Sequence, residues 1–281
     1  MKLIADAGST KIEWAVIKDC GQNPIIFTTP GLNPALVAAD SLADEFALRL
    51  SVTLTDNDNI DRCYYYGAGC LPHIIPNVER ALGSLLPGAE VHAYSDLLGA
   101  ARSVFPTGSG IACILGTGSN SAVIADGELV DNIPPLGYIL GDEGSGSALG
   151  KRLIGDMLKR LLPPCLWDEW QATTGCDYAG LVEAVYRRPE ANKFLASQTR
   201  FIREHIDVPG MREMVVEEFG RFLDRNVLRY PDARHLPIGF VGSLAEVFRT
   251  ELEAAATDRG LRIDKIITRP LQGLIEYHTT H

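Results

Sequence analysis

The sequence predicts an α/β protein of two lobes, and three observations support this prediction. Apolar runs of strand length alternate with helical patterns along the chain, as in mixed α/β folds. The 281 residues are too many for one small core and enough for two. A strand–turn–strand pattern at the N-terminus also recurs after residue 110, so each lobe would hold one copy.

The first lobe is predicted to span residues 1–107. It opens with a hairpin whose arms meet at the polar turn DAGSTK. Its later elements show the apolar periodicity of either a strand or a helix. They end at PTGSG, a turn-rich break that we take as the lobe boundary. The predicted strands are 2–7, 12–18, 24–30, 61–69 and 90–96, and the predicted helices are 41–51, 74–86 and 97–105.

The second lobe is predicted to span residues 108–270. It begins with a strand–turn–strand unit at 111–130, in which GTGSNS occupies the place that DAGSTK has in the first unit. Both second arms end in Ala-Val-Ile, which we interpret as an internal repeat, with chance similarity as the alternative. A helical insertion is predicted at 147–162, 178–187, about 190–206 and 211–229, followed by a strand, a turn and a helix start within 236–248 and a strand at 262–270. A last helix is predicted after this lobe, at 271–279.

Composition and charge exclude several classes of function. The net charge of −10 argues against broad nucleic-acid binding, which depends on neutralised phosphates. No run of 18 uncharged apolar residues predicts a membrane span, and the N-terminus does not resemble a signal peptide, so we expect a cytoplasmic protein. No pair of the six cysteines has CxxC spacing, which argues against a zinc or iron–sulfur site.

Three glycine-rich turns, DAGSTK, GTGSNS and VGSLAE, are candidates for phosphate binding. Backbone N–H groups in such turns form a concavity that suits phosphate oxygens, although each turn alone could simply connect two elements. Two standard motifs are excluded. SALGKR is not a Walker A loop, because Ser145 stands where the first glycine is required and Arg152 where Ser or Thr is required, and GTGSNS lacks the third glycine of a dinucleotide fingerprint.

Four acids near these turns are candidates for chemistry. Asp6 either forms a turn with its own backbone or holds Mg²⁺ through waters beside a phosphate chain. Asp96 is either a helix N-cap or a general base at a strand end, where α/β proteins bind ligands. Asp142 and Glu143 lie in the glycine-rich loop ILGDEGSGS, which favours binding over a plain turn.

These motifs resemble those of a known superfamily. LIADAGSTKIEWAVI and ILGTGSNSAVI resemble the first and second phosphate motifs of the actin/Hsp70/sugar-kinase superfamily, and IGFVGSLAEVF resembles its adenosine motif. GTGSNS together with GYILGDEGSGSALG resembles the N-acetylglucosamine kinase and BadF/BadG-type ATPase group. The resemblance implies two ribonuclease-H-like (actin-like ATPase) lobes with a nucleotide cleft between them, and a helix at 271–281 that packs back on the first lobe.

The resemblance also implies residue roles and an activity. The protein would transfer phosphate from ATP, with Mg²⁺, to the 6-hydroxyl of an N-acetylated amino sugar, and it would be a homodimer. Asp96 would be the catalytic base and Asp6 would position Mg²⁺. The nucleotide would be bound by Gly8, Ser9, Thr10, Lys11, Gly116, Thr117, Gly118, Ser119, Gly242 and Ser243. The sugar would be bound by Asn33, Gly69, Asp142 and Glu143.

One departure leaves the acceptor open. Related kinases carry Trp where this chain has Leu136, so an aromatic sugar platform is lost or is supplied elsewhere, for instance by Tyr138. N-acetylglucosamine is the leading acceptor, with N-acetylmuramic acid or glucosamine as alternatives. A BadF-type activator ATPase is a second class, for which Cys70 is the one arguable cluster ligand. A noncatalytic sensor is a third class, against which the presence of Asp96 argues.

Overall fold

A computed structural model describes residues 1–8, 11–18, 23–51 and 59–281. These residues form two compact units. Unit 1 comprises Met1–Gly108, the turn Asp126–Glu128 and Arg269–His281, and unit 2 comprises Ser109–Ala125 and Leu129–Thr268.

The sheet of unit 1 has five strands in the order β3-β2-β1-β4-β5. β1 pairs antiparallel with β2 and parallel with β4, β2 pairs antiparallel with β3, and β4 pairs parallel with β5. β1, β3, β4 and β5 therefore run in the same direction, and their C-terminal ends meet at one edge of the sheet. The strands are β1 (Lys2–Ala7), β2 (Lys11–Ile17), β3 (Ile25–Pro30), β4 (Arg62–Gly67) and β5 (Glu90–Ser95).

Helices cover this sheet on both faces. One face, with Trp14 and Tyr65 fully buried, packs against α1 (Leu42–Leu50) and α2 (Ile75–Leu85). α3 (Asp96–Val104) and the C-terminal helix α13 (Pro270–Thr280) contact each other and the sheet. α13 begins with a proline, whose fixed φ suits the first turn of a helix.

A buried arginine joins α3 to the rest of unit 1. The Arg102 guanidinium donates to the Gly127 carbonyl at 2.8 Å, to the Tyr66 hydroxyl at 2.9 Å and to the Glu128 carboxylate at 2.7 Å. The Tyr66 hydroxyl lies 2.8 Å from Nε2 of His278 on α13. The Tyr66 hydroxyl thus connects Arg102 on α3 to His278 on α13.

The sheet of unit 2 has the order β10-β9-β6-β7-β8. β6 pairs antiparallel with β7 and parallel with β9, and β9 pairs parallel with β10. This order repeats that of unit 1, with β6 in the position of β1. The strands are β6 (Ser109–Leu115), β7 (Ser119–Ala125), β8 (Glu128–Ile133), β9 (Ile238–Val241) and β10 (Ile263–Ile267).

The core of unit 2 lies among its many helices. Trp170, Phe219, Phe222, Phe240 and Phe248 are fully buried there. α8 and α9 follow each other with only Gln198 between them. The helices are α4 (Gly137–Leu140), α5 (Gly146–Leu158), α6 (Cys165–Thr174), α7 (Tyr178–Tyr186), α8 (Ala191–Ser197), α9 (Thr199–Glu204), α10 (Met211–Arg225), α11 (Ser243–Val247) and α12 (Arg249–Thr257).

The predicted fold class is confirmed: two five-stranded α/β sheets of matching order are present. The matching orders also account for the repeated hairpin, because its first strand, β1 in one unit and β6 in the other, is the central strand of the sheet. Within the described residues, no helix is long and apolar enough to span a bilayer.

Candidate active site

Four predicted site residues lie at or just after the C-terminal ends of four strands of unit 1 that run in the same direction. Asp6 lies at the end of β1, Asn33 follows β3, Gly69 follows β4 and Asp96 follows β5. Because these ends share one edge of the sheet, the topology gathers the four residues there. Such an edge is where open α/β sheets bind ligands.

Asp96 is held at the start of α3 with its side chain accessible to solvent. Ser95, rather than Asp96, is the N-cap, because its hydroxyl accepts from the Leu98 N–H at 3.2 Å. One oxygen of Asp96, Oδ1, accepts from the Leu97 N–H at 2.9 Å. Desolvation of the carboxylate by the surrounding protein atoms raises the pKa of Asp96, while hydrogen bonds from the backbone N–H groups of Leu97 and Asp96 oppose this. A fixed, accessible carboxylate of raised pKa suits a proton acceptor.

Asp6 lies among other carboxylates. Burial, together with the charges of Glu13 and Asp96, raises the pKa of Asp6 to about 7, although Lys11 opposes this rise. Lys11 itself pairs with Glu13, with Nζ 3.1 Å from Oε1. The turn after Asp6 is closed by the Gly8 N–H, which donates to the Lys11 carbonyl at 2.9 Å. The predicted ligands Ser9 and Thr10 lie outside the described residues.

Asn33 and Gly69 are in direct contact. Gly69 has a φ of +83°, and a Cβ added to it would lie 2.0 Å from Oδ1 of Asn33. That oxygen accepts from the Ala35 N–H at 3.0 Å, which fixes the side chain. Gly69 therefore provides the room that the Asn33 side chain occupies.

In unit 2, the GTGS turn is braced by the glycine-rich loop after β8. The Gly116 N–H donates to the Gly118 carbonyl at 3.0 Å and closes the turn. The Gly146 N–H donates to the Gly116 carbonyl at 2.8 Å, and the Ser147 N–H donates to the Thr117 carbonyl at 3.1 Å. The loop thus fixes the candidate phosphate-binding turn.

The two adjacent acids of this loop have different surroundings. Asp142 reaches the turn: its Oδ1 lies 3.5 Å from the Ser119 nitrogen. Burial and the neighbouring Glu143 charge raise the pKa of Asp142, and the Ser119 N–H opposes this. Glu143 is buried and forms an ion pair with Arg225 on α10. Asp142 is thus available to a ligand, whereas Glu143 is already paired with Arg225.

A cavity of about 470 Å³ in unit 2 connects the GTGS turn to α11. Its lining includes Gly116 and Thr117 from the turn and Ser243 at the start of α11. Gly242, just before α11, has a φ of +129°, and a Cβ there would lie 2.1 Å from the Leu115 carbonyl oxygen. Only glycine permits this approach of β9 to β6.

One wall of this cavity was not predicted from the sequence. α8 and α9 contribute Ala196 and four residues of one helix face, whereas that segment was predicted only as part of a plain helix. Their spacing of three to four residues was the available signal, but charged side chains so spaced usually face solvent. The four are Thr199, Arg200, Arg203 and Glu204.

The departure at Leu136 lies on the surface of unit 2. Leu136 has a φ of +63° and 61% of its surface is exposed. Tyr138, the suggested alternative platform, instead packs against the core of unit 2.

Comparison with solved structures reveals the relatives of this fold. A Porphyromonas gingivalis protein, provisionally named an N-acetylglucosamine kinase, is 40% identical, with a TM-score of 0.94 over 100% of this chain and 99% of that one. The chain belongs to the N-acetylglucosamine kinase family. No protein-family model matches it, and no curated protein sequence does.

More distant structures share the fold of this N-acetylglucosamine kinase family member. A Chromobacterium violaceum protein with the same provisional name is 16% identical, with a TM-score of 0.72 over 98% of each chain. A ROK-family glucokinase from Streptomyces griseus, solved with glucose and AMPPNP, is 13% identical, with a TM-score of 0.54 over 99% of this chain and 98% of that one. At these identities the likeness concerns the fold alone.

Proposed function

We propose that this protein is an ATP-dependent kinase that phosphorylates the 6-hydroxyl of an N-acetylated amino sugar, with N-acetylglucosamine as the preferred acceptor. The observation that carries the proposal is the full-length, 40% identity to a protein provisionally named an N-acetylglucosamine kinase. The sequence motifs of that family and their placement in both units support it.

Asp96 is the proposed general base. It accepts the proton of the sugar 6-hydroxyl while that oxygen bonds to the γ-phosphorus of ATP and the bond to the β-phosphate oxygen breaks. The products are the sugar 6-phosphate and ADP. The hydrogen bond from the Leu97 N–H fixes the carboxylate at the strand end, where its exposed side can receive the sugar hydroxyl. A general base of this kind contributes roughly 10²–10⁴-fold to the rate.

Asp6 is the proposed Mg²⁺ residue, and its surroundings fit a cation. Glu13 and Asp96 add negative charge near Asp6, and Lys11 is already paired with Glu13. Within the described ranges, no three His, Cys, Asp or Glu side chains form a complete metal cage. Mg²⁺ commonly uses one or two carboxylates, waters and substrate phosphates. When bound, it would neutralise phosphate charge.

The nucleotide is assigned to the cavity of unit 2. The Gly116–Ser119 turn would hold phosphates, and Gly242 and Ser243 would border the nucleoside, as the family motifs imply. The volume of about 470 Å³ lies in the usual range for small-molecule sites, roughly 300–1,000 Å³. The S. griseus glucokinase, solved with AMPPNP, is a precedent for a nucleotide on this fold.

The activator-ATPase alternative depends on Cys70, and the environment of this residue argues against it. Cys70 is 3% exposed, and burial raises the pKa of its thiol to about 12. A cluster ligand needs an accessible thiolate. The homodimeric state stays a prediction.

A sugar panel tests the proposed function. ADP release from Mg·ATP would be measured with N-acetylglucosamine, N-acetylmuramic acid, N-acetylmannosamine, glucosamine, glucose and no sugar. We expect release that depends on one N-acetylated sugar, with N-acetylglucosamine fastest. Equal release in every sample, including the one without sugar, would indicate an ATPase with another partner.

A further inference from the structure

The cavity of unit 2 has two unlike walls. α11 contributes Leu244 and Val247, and Val247 is 45% exposed although it is aliphatic. α9 faces the cavity with Arg200, Arg203 and Glu204. An aliphatic wall and a cationic wall together suit a flat aromatic ring, since guanidinium groups stack on aromatic faces.

The phosphate end of the cavity lies at the start of the α9 wall. A Cβ on Gly146 would lie 3.1 Å from Cβ of Ala196 and 3.2 Å from the Gly116 carbonyl oxygen. Gln198, between α8 and α9, keeps right-handed helical backbone angles, and α9 begins after it. Within α9, Arg203 lies four residues beyond Thr199, or roughly 6 Å at a rise of about 1.5 Å per residue.

The two arginines of this wall differ in their partners. Nε of Arg200 is 2.9 Å from Oε1 of Glu204, so this guanidinium is already paired. In the part of the chain that the structure describes, Arg203 has neither an ion pair nor a hydrogen bond from its side chain, and it is exposed. The cavity lining carries a net charge of +1, from two arginines and one glutamate, in a chain of net charge −10.

We propose that Arg203 binds the nucleobase of the phosphate donor by stacking its guanidinium on the ring, with Leu244 and Val247 against the other face. This inference rests on the proposed function and adds a donor-binding residue to it. The phosphates then lie at the GTGS turn, and Arg203 makes no contact with them.

Isothermal titration calorimetry with two ligands tests this assignment. Mg·ADP carries a base, whereas Mg·pyrophosphate has the two phosphates alone. We expect Arg203→Gln to weaken Mg·ADP binding about tenfold and to leave Mg·pyrophosphate binding unchanged. Arg187→Gln, an exposed arginine of unit 2 outside the cavity, is the matched control and should change neither affinity.

The other outcomes are distinct. An equal loss for both ligands in Arg203→Gln would make Arg203 a phosphate contact and overturn the proposal. Unchanged binding of both ligands would overturn it as well. If the wild-type protein binds no Mg·ADP, the proposed function itself fails and the inference fails with it, whereas normal wild-type binding confines any failure to Arg203.

Discussion

The negative charge of Asp96 helps to raise the pKa of Asp6 to about 7, after the larger effects of burial and of the Glu13 charge. Asp96 follows β5 and Asp6 lies near the end of β1, and β4 lies between these two strands. The sheet thus brings a candidate base and a candidate metal residue to one edge. Their proximity would disfavour two bare carboxylates and would favour a bound cation.

Replacing Asp96 tests the base. Asp96→Asn keeps an oxygen for the Leu97 N–H but removes the proton acceptor. We expect kcat for sugar phosphorylation to fall about 10²–10⁴-fold while the KM for ATP stays within about twofold. The measurement is steady-state kinetics, with the exposed Asp40→Asn as the matched control. Full activity of Asp96→Asn would exclude Asp96 as the base.

Replacing Asp6 tests the metal residue. Asp6→Asn removes the charge and keeps the size, so we expect the Mg²⁺ concentration for half-maximal activity to rise about tenfold or more, or roughly 1.4 kcal/mol. A titration of activity against Mg²⁺ at fixed ATP measures this. Asp40→Asn again serves as control, and an unchanged Mg²⁺ requirement would leave Asp6 as a turn residue only.

Replacing Gly69 tests its contact with Asn33. Gly69→Ala would place a methyl group 2.0 Å from Oδ1 of Asn33, so the amide must move. We expect the KM for the sugar to rise about tenfold, a change of roughly 1.4 kcal/mol, with the KM for ATP unchanged.

Gly88 provides the matched control for Gly69→Ala. Its φ of +86° is nearly the same, but nothing lies within 4 Å of an added Cβ. Gly88→Ala therefore carries the backbone strain without the clash, and the KM for the sugar should not change. Equal effects of both variants on that KM would show that Asn33 is not involved.

The buried His278 predicts a specific dependence of stability on pH. Burial, assisted by the Arg102 and Lys2 charges, lowers the pKa of His278 from 6.5 to about 3. Below pH 6.5, His278 binds a proton in the unfolded chain, whereas in the native state it binds one only near pH 3. The contribution of His278 to the free energy of unfolding is therefore fully present above pH 6.5, and it decreases as the pH falls below 6.5.

Urea unfolding at pH 7 and pH 5 measures this effect. His278 should account for a loss of about 2 kcal/mol in the free energy of unfolding between these pH values. In His278→Gln, whose amide oxygen can accept from Tyr66, that part of the loss should disappear. Equal losses of the free energy of unfolding in the wild type and the variant would show that His278 is already protonated in the native state at pH 5.

The hairpins, strand ends and glycine turns were predictable from the sequence because local patterns determine them. Asp6, Asp96 and the GTGS turn each mark the end of an apolar strand, and within unit 1 the parallel strands bring the ends that carry Asp6 and Asp96 to one edge. The helix predicted at 97–105 begins one residue earlier because the Ser95 hydroxyl caps it. The predicted helix at 190–206 divides at Gln198, whose side chain accepts from Trp170 Nε1 at 2.7 Å.

Other features depend on tertiary packing that no local pattern encodes. α6 was not predicted, because its buried residues Leu166 and Trp170 are too few to show a helical period. In the sequence, the charged face of α9 is typical of a solvated surface, because no local pattern indicates that α9 and α11 line the same cavity. Likewise, Asp142 and Glu143 could not be distinguished from the sequence, because the ion pair that engages Glu143 comes from Arg225, far along the chain.

Identification of the phosphorylated product distinguishes a sugar kinase from an ATPase. Purified protein would be incubated with Mg·ATP and N-acetylglucosamine, and the products followed by ³¹P nuclear magnetic resonance with coupling to protons. We expect a phosphomonoester coupled to the two protons on carbon 6, formed in equal amount to ADP. ADP and inorganic phosphate as the only products, with the sugar unchanged, would contradict this and identify the protein as an ATPase.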